Sequence, residues 1–534
     1  MKYIKLIMLL FFVSISFIAC EEFLEENPKT DVSIKYLYEN PEGLKAAVIG
    51  LYSVNRDHFH IYPHEGARAV WEHVQSDLVT PHAGYISIVA LFSQSSSAPD
   101  QHGAWLSSFI WRDHYKVIDR ANAIIQAAEK IEGMDETERQ TVMAEAKYFR
   151  AHSLFTLYRF YNNVYVTEEA TTPENVFDKV FAPSTKEEIF EAISSDLEEA
   201  IPNLEWTVPA GRVNQGLARH IRAKLALWEE NWEVAAAQAD TVINNGTFYL
   251  EEDLNKIFGH PSVAESYGSR NSSEALFVIQ NEEGSAGAGP PTFINTNFMP
   301  RYDDVPGVKW DKSQGGRGFG FCSPNSYLFS LYESYDKRLD AYYQRYFYYN
   351  DEENMPDSVL TDNGWVYPKL GDAAEIVTSG SNQSAYQRRL TPGLLKMIDR
   401  NIAGEEAVSR ANILRFRLSE TYIVAAEAYM RMGNTGMATQ RINPIRDRAG
   451  IQPLFSLSEN ELMKEQAREF AFEGQRFFFL KRIGKLVSQI QKYAGEDSYK
   501  NDARSNIKDR HINVAIPQSE LDLLGAGYPQ NEGY

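Results

Sequence analysis

A chain of 534 residues that is 43% hydrophobic and 13% aromatic can bury one large core or two ordinary ones, which excludes a disordered protein. Its 53 basic and 73 acidic residues give a formal net charge of −20, which argues against nucleic acid and anionic lipid headgroups as partners and leaves neutral or cationic ligands open. Two cysteines, Cys20 and Cys322, cannot supply a disulfide framework, so stability must come from packing.

Lys2 and Lys5 precede a fourteen-residue apolar stretch, residues 6–19, broken only by Ser14 and Ser16. This layout predicts a secretory signal over residues 1–19. It is shorter than the roughly 20 apolar residues of a membrane-spanning helix, and no later stretch takes that role. Ala19 directly before Cys20 resembles the lipobox of bacterial lipoproteins, although Phe17 and Ile18 depart from the usual Leu-(Ala/Ser) pair. Cys20 is expected to carry the lipid, because two acyl chains suffice for durable attachment. Residues 20–40 are then a lipidated linker. Its acids Glu21, Glu22, Glu25 and Glu26 read as a solvated stretch, similar to the signal for outer-face display in some Gram-negative bacteria.

Next, "DHFHIYPHE" puts His58, His60, His64 and Glu65 within eight residues. On a strand His58 and His60 would share a face, as a zinc or copper site requires. Phe59, Ile61 and Tyr62 fit a half-buried segment better, and no H-E-x-x-H frame is present, so no metal is predicted. Trp71, flanked by apolar residues, reads as core. In "TPHAGYISIVALFSQSSSAPDQHGAWLSSF", Tyr85, Gln101, His102 and Trp105 sit among polar, small and turn residues before the first long helix. Binding residues concentrate on such loops, which makes these four candidate ligand contacts.

Residues 111–162 read as a helical pair around the polar turn "EGMD". A further helix is predicted over residues 185–201, with Ser184 or Thr185 as N-cap, acids in its first turn, and Pro202 at its end. In the next pair, Ala226, Asn231-Trp232, Ala235, Ala236 and Ala239 resemble the tetratricopeptide pattern of small residue, turn, aromatic and small residue. Ala428, the Gly433-Asn434 turn and Ala438 repeat it some two hundred residues later. Helical repeats stack on sequence neighbours, so a segment has been inserted between the copies. The predicted fold is mainly α, a tetratricopeptide-like helical-repeat scaffold forming an α-α superhelix within one large domain, residues 41–534. The repeats cover about 109–245 and 412–490, and a loop-rich insert with short strands covers about 246–411. Trp111 and Trp232 belong to repeat helices and read as core.

Within the insert, "EALFVIQ" and "GWVYPK" read as strands between glycine- and proline-punctuated loops. Leu328, Leu331, Tyr332, Tyr335, Leu339, Tyr342, Tyr343 and Tyr346 keep the spacing of one helix face and are expected to be mostly core. Cys322 in "GFCSP" lacks a neighbouring base and reads as a small buried residue. Trp310, Arg317, Trp365 and Tyr386 lie in loop-like surroundings. Aromatic and polar side chains on loops make these four further candidate contacts.

"INPIRDRAGI", "FAFEGQRFFFLKRIGK" and "VAIPQSELDLLGAGYPQNEGY", together with "CEEFLEENP", "WRDHYKVIDRANAII" and "AEAKYFRAHSLFTLYRFY" upstream, resemble motifs of the SusD/RagB family of outer-membrane nutrient-binding lipoproteins, in the family's order. Three residues depart from it: Gln466 stands where the family usually has Arg, Phe470 where it has Leu, and Phe479 where an Asp is common. The resemblance implies a non-enzymatic cell-surface binder that captures oligosaccharide or polysaccharide and delivers it to a SusC-like TonB-dependent transporter. Such a protein would be lipid-anchored in the outer membrane with its helices mainly on the transporter. A peptide-capturing RagB-like binder is the alternative, and a surface glycoside hydrolase a more distant one without a motif in its favour. No cofactor is expected. Glu465, Glu469 and Glu473 share a helix face at four-residue spacing. Pairing with Arg468, Arg476 or Lys481 is the preferred reading over an acid/base or metal site.

Overall fold

The computed structural model describes residues 34–57, 70–82, 90–93, 104–258, 272–281, 292–399 and 404–534. Cys20, the His58–Glu65 cluster, Tyr85, Gln101 and His102 lie outside the described residues. The long helices are α1 (Pro41–Asp57), α2 (Ala104–Lys130), α3 (Glu136–Tyr161), α4 (Lys186–Ala200), α5 (Gln215–Trp228), α6 (Trp232–Asn244), α7 (Leu418–Arg431), α8 (Thr435–Arg448) and α9 (Glu459–Phe470), followed by the short α10 (Arg476–Arg482).

Local chemistry sets where these helices begin. Asp135 accepts hydrogen bonds from the first turn of α3, and Thr185 forms a capping box with Glu188 at the start of α4. Asn231 and Asn434 cap the second helix of each predicted repeat, accepting from Val234 N at 3.3 Å and Met437 N at 3.1 Å. Neighbouring helices pack in antiparallel succession: α2 on α3, α3 on α4, α5 on α6, and α7 on α8. Past Ala144 most of α3 is buried, which makes it the axis of the first half.

Helix α6 packs directly on α7 although the insert separates them in sequence. The contact is small-residue packing, with Ala226, Ala235, Ala236 and Ala239 of the first copy against Val424, Ala425 and Ala428 of the second. Alanine lets two helix axes approach closely, so the superhelix continues across the insertion. A strand pair closes the insert beside this contact. Among the described strands, β1 (Val79–Pro81) pairs with β3 (Cys322–Pro324), β2 (Ala275–Ile279) with β8 (Ile413–Arg417), β4 (Tyr343–Gln344) with β7 (Gly393–Leu394), and β5 (Val359–Thr361) with β6 (Gly364–Val366), all antiparallel. β8 runs straight into α7, and Leu418 N bonds to Glu274 O, so β2 and β8 hold the two ends of the excursion together.

The insert carries its own core, in which Met299, Tyr302, Val305, Phe347, Tyr349 and Leu395 pack together. The predicted single helix through residues 328–346 does not form. Two short helices, Ser326–Ser330 and Arg338–Tyr342, replace it. Asp336 explains the break: its carboxylate accepts from Arg338 N at 3.0 Å and Nε at 2.9 Å, a local bonding pattern that competes with a continuous helix. Leu328, Tyr332, Leu339, Tyr342 and Tyr343 are core as expected, whereas Tyr335 and Tyr346 are 57% and 54% exposed. Trp71, Trp111 and Cys322 are buried, and Trp232 is half-buried against the alanine contact.

A buried charge lattice joins the insert to the second repeat. Arg417, at the end of β8, reaches Glu469 at 2.7 Å and Glu473 at 2.8 Å, and Arg448 reaches Glu469 at 2.6 Å and also pairs with Glu274. Arg338 of the insert binds Asp336 and Glu465, each at 2.7 Å, while Arg446 and Arg468 complete the shell of Glu465. Lys396 neutralises Glu473 at 2.7 Å. The preferred structural reading of these carboxylates therefore holds with different partners. Arg468 binds Glu465 as anticipated, but Arg476 pairs with Asp77 at 2.7 Å, and Lys481 donates to Arg159 O and Asn513 Oδ1. Helix α9 ends at Phe470, so Glu473 is not on the same helix as the other two.

Burial alone would raise the Glu465 carboxyl, but Arg338, Arg468 and Arg446 reverse this and hold it down to about 2 from 4.5. A carboxylate whose folded value is depressed stabilises the fold above its unfolded value and loses that contribution as pH falls through the folded one. Wild-type stability should therefore drop between about pH 4.5 and 2. Glu465→Gln should flatten this slope in pH-dependent chemical denaturation and cost about 3 kcal/mol or more at pH 7. In the same assay, Ala425→Leu should destabilise by about 1–3 kcal/mol, because the added methylenes force α6 and α7 apart.

Candidate functional site

The segment around Trp310 is shaped by one buried side chain. Tyr302, stacked on Phe347 with ring centroids 4.5 Å apart, places its hydroxyl under the loop 311–316. It accepts from Asp311 N at 3.0 Å and donates to Gly316 O at 2.8 Å. Burial pushes this hydroxyl up, so it stays neutral and serves as both donor and acceptor. Asp311 caps the short turn Lys312–Gln314, and Gly315 and Gly316 then take φ of +96° and +72°. That left-handed region admits glycine without strain. The loop thereby reverses and brings Arg317 back over Trp310.

The Arg317 guanidinium lies 4.5 Å from the Trp310 ring centroid and 5.6 Å from that of Phe319, and Nη1 donates to Glu405 O at 3.1 Å. Gly404 passes against the Trp310 backbone, where a Cβ would come within 2.9 Å of the Trp310 carbonyl oxygen. Among the described residues neither Trp310 Nε1 nor Arg317 Nε has a hydrogen-bond partner. Both of these nitrogens are themselves buried, and the two side chains form a half-buried aromatic plane with a cation on it. An aromatic face takes the apolar side of a sugar ring.

Of the predicted contacts, the structure brings Trp310 and Arg317 together and seats Tyr386 on the same support. Tyr386 lies on the short helix Gln383–Arg389 and, like Trp310, packs on the insert core around Tyr302. Trp365 is elsewhere. It sits on the β5–β6 hairpin opposite Leu360, 65% exposed, while Val359 of that hairpin makes the packing contact with the insert core. Trp105 belongs by its backbone to the first turn of α2, not to the loop before it, because the helix starts at Ala104; its side chain lies outside the described residues.

The sequence reading passed over a second aromatic surface. In "RYFYYN", Tyr346 and Tyr348 are exposed while Phe347 and Tyr349 are buried. This alternation with period two marks an extended segment with one wet face, and it was available in the residues. Tyr367, beyond β6, is also largely exposed. These rings and Trp365 give the insert several accessible aromatics.

Two family profiles match the chain. One, described as the SusD family, covers residues 273–534, and the other, described as starch-binding associating with outer membrane, covers residues 22–215. SusD-like protein P25 of Formosa agariphila is 23% identical over 96% of this chain and 95% of its own length. The starch-binding protein SusD of Bacteroides thetaiotaomicron is 36% identical over a shorter stretch, 22% of this chain and 21% of that protein. A solved laminarin-binding SusD-like protein superposes with a TM-score of 0.69 at 22% identity, covering 93% of this chain and all of that one. Surface glycan-binding protein A from Bacteroides uniformis superposes with a TM-score of 0.68 at 18% identity, covering 92% and 99%. Helices in the expected order, the insert between the repeats and both profiles agree: the chain is a member of the SusD family.

Proposed function

We propose that this protein is a surface glycan-binding lipoprotein, anchored to the outer membrane through Cys20, that captures a neutral oligosaccharide and passes it to a SusC-like TonB-dependent transporter without chemical turnover. The observation that carries the binding role is the Trp310–Arg317 pair, a half-buried aromatic plane and a cation held on a preorganised loop. Tyr386 would extend the platform and Trp365 would serve a longer chain, while Tyr85, Gln101, His102 and Trp105 remain candidate contacts from the sequence alone. The relatives named for starch, laminarin and surface-glycan binding support the ligand class. The charge of −20 favours a neutral glycan over an anionic one.

The carboxylates sequence reading singled out do not argue for hydrolysis. Glu465 and Glu469 are fully buried and ion-paired to arginines, which removes them from any solvent-facing acid/base role. A paired, depressed carboxylate is a poor proton donor at neutral pH.

Isothermal titration calorimetry of the chain without residues 1–20 against neutral and acidic oligosaccharides and a peptide digest tests the reading. We expect saturable, metal-independent heat from a neutral glycan class, and no new reducing ends or fragments afterwards. Trp310→Ala should raise Kd about tenfold or more, and Arg317→Ala should raise it as well. Heat only from peptides would move the protein to the peptide-capturing alternative. Cleaved product would replace binding by hydrolysis, and unchanged affinity in the Trp310→Ala, Trp105→Ala double variant would remove the platform from the site.

A further inference from the structure

Between α5, α7 and α10 lies a cavity of about 50 Å³ that shares no lining residue with the Trp310 platform. Its wall includes Arg159, Lys224, Glu420, Gln475, Phe478 and Phe479. The volume suits a water or a single small ion.

The charges around this space do not balance. Arg482 is engaged bidentately by Glu427 at 2.7 and 2.6 Å. Lys224 Nζ donates to Glu420 at 2.5 Å and to Gln475 Oε1 at 2.7 Å, and Glu420 also bonds His220 at 3.1 Å. Arg159, 2% exposed, forms no ion pair among the described residues. Its guanidinium lies between the rings of Phe155, at 4.6 Å, and Phe478, at 4.2 Å. Nη2 donates to Thr156 Oγ1 at 3.3 Å, and among the described residues Nε has no acceptor. Gln475 Nε2 is a second buried donor without a partner. The carboxylates whose field reaches Arg159, Glu72 and Glu420, already serve Arg415 and Lys224. Lys481, buried next to Arg159, has only neutral acceptors, Arg159 O and Asn513 Oδ1.

Burial accordingly pushes Arg159 down to about 10 and Lys481 down to about 7, the direction expected of cations short of counter-charge. Phe479 also lines the cavity and gives it a neutral aromatic wall.

We propose that this cavity binds a small monovalent inorganic anion of chloride size, held by Arg159 Nε and Gln475 Nε2, which supplies the counter-charge that Arg159 lacks among the described residues. A buried cation without a counter-ion is costly, so the anion would bind the folded chain and not the unfolded one and stabilise it by mass action.

Crystals of the mature chain grown in bromide, with anomalous maps, combined with chloride titration of Tm at constant ionic strength with gluconate as replacement, test this. The expected result is a bromide peak beside Arg159 Nε and a rise in Tm that starts near Kd, reaches about 1 °C at a tenfold excess of chloride, and continues logarithmically above it. Phe479→Asp, which places a carboxylate in the cavity wall, should show neither. A wild-type map with water at that position, or a chloride response identical in wild type and Phe479→Asp, overturns the proposal. Should Phe479→Asp not fold, the wild-type bromide map decides alone.

Discussion

Glu469 is the point on which the architecture turns. Its carboxylate, fully buried on α9, is gripped by Arg417 from the end of the insert, Arg448 from the second repeat and Arg338 from the middle of the insert. Ions taken out of water lose several kcal/mol of solvation each, so such a lattice is not a simple gain in stability. Its consequence is positional. Removing one partner leaves the others buried and unpaired, and each arginine can satisfy its fork only where the insert, the repeat and α9 stand in one arrangement. Asp77 and Arg476 extend the same logic to the N-terminal half, 399 residues away along the chain.

That arrangement lets a loop-rich excursion behave as a rigid attachment to a helical scaffold. The alanine contact of α6 with α7 keeps the superhelix continuous, β2 and β8 bring the ends of the insert together at its side, and the charge lattice fixes the insert's orientation. The Trp310 platform then rests on the insert core through Tyr302. A binding surface held in this way spends little conformational entropy on capture, since its aromatic plane and guanidinium are placed before the ligand arrives. The helices carry most of the packing, and the proposed recognition surface lies on the insert.

Much of this was legible in the residues because it depends on short-range pattern. The alanines of the two repeats, the caps Thr185, Asn231 and Asn434, and the strands in "EALFVIQ" and "GWVYPK" each follow from periodicity or turn chemistry within a few residues. Trp310 and Arg317, seven positions apart in a glycine-rich loop, were readable for the same reason. The ion-pair partners were not. Arg338 with Glu465 and Arg417 with Glu469 are joined only by the tertiary fold, and sequence spacing on α9 favoured nearer arginines. The broken helix at residues 326–346 was misread because Asp336 competes locally with a pattern of apolar spacing that looks continuous. Trp365 illustrates the remaining limit: residue type and loop context pointed to exposure, but not to a hairpin apart from the Trp310 platform.

The account rests on the claim that ligand capture happens on the insert, on the ring of Trp310. A crystal structure of the chain with a neutral oligosaccharide that gives heat in calorimetry tests it most directly. A sugar ring stacked on Trp310, beside the Arg317 guanidinium, is the predicted result. An oligosaccharide bound elsewhere, with the Trp310 plane still covered only by Arg317, would contradict it.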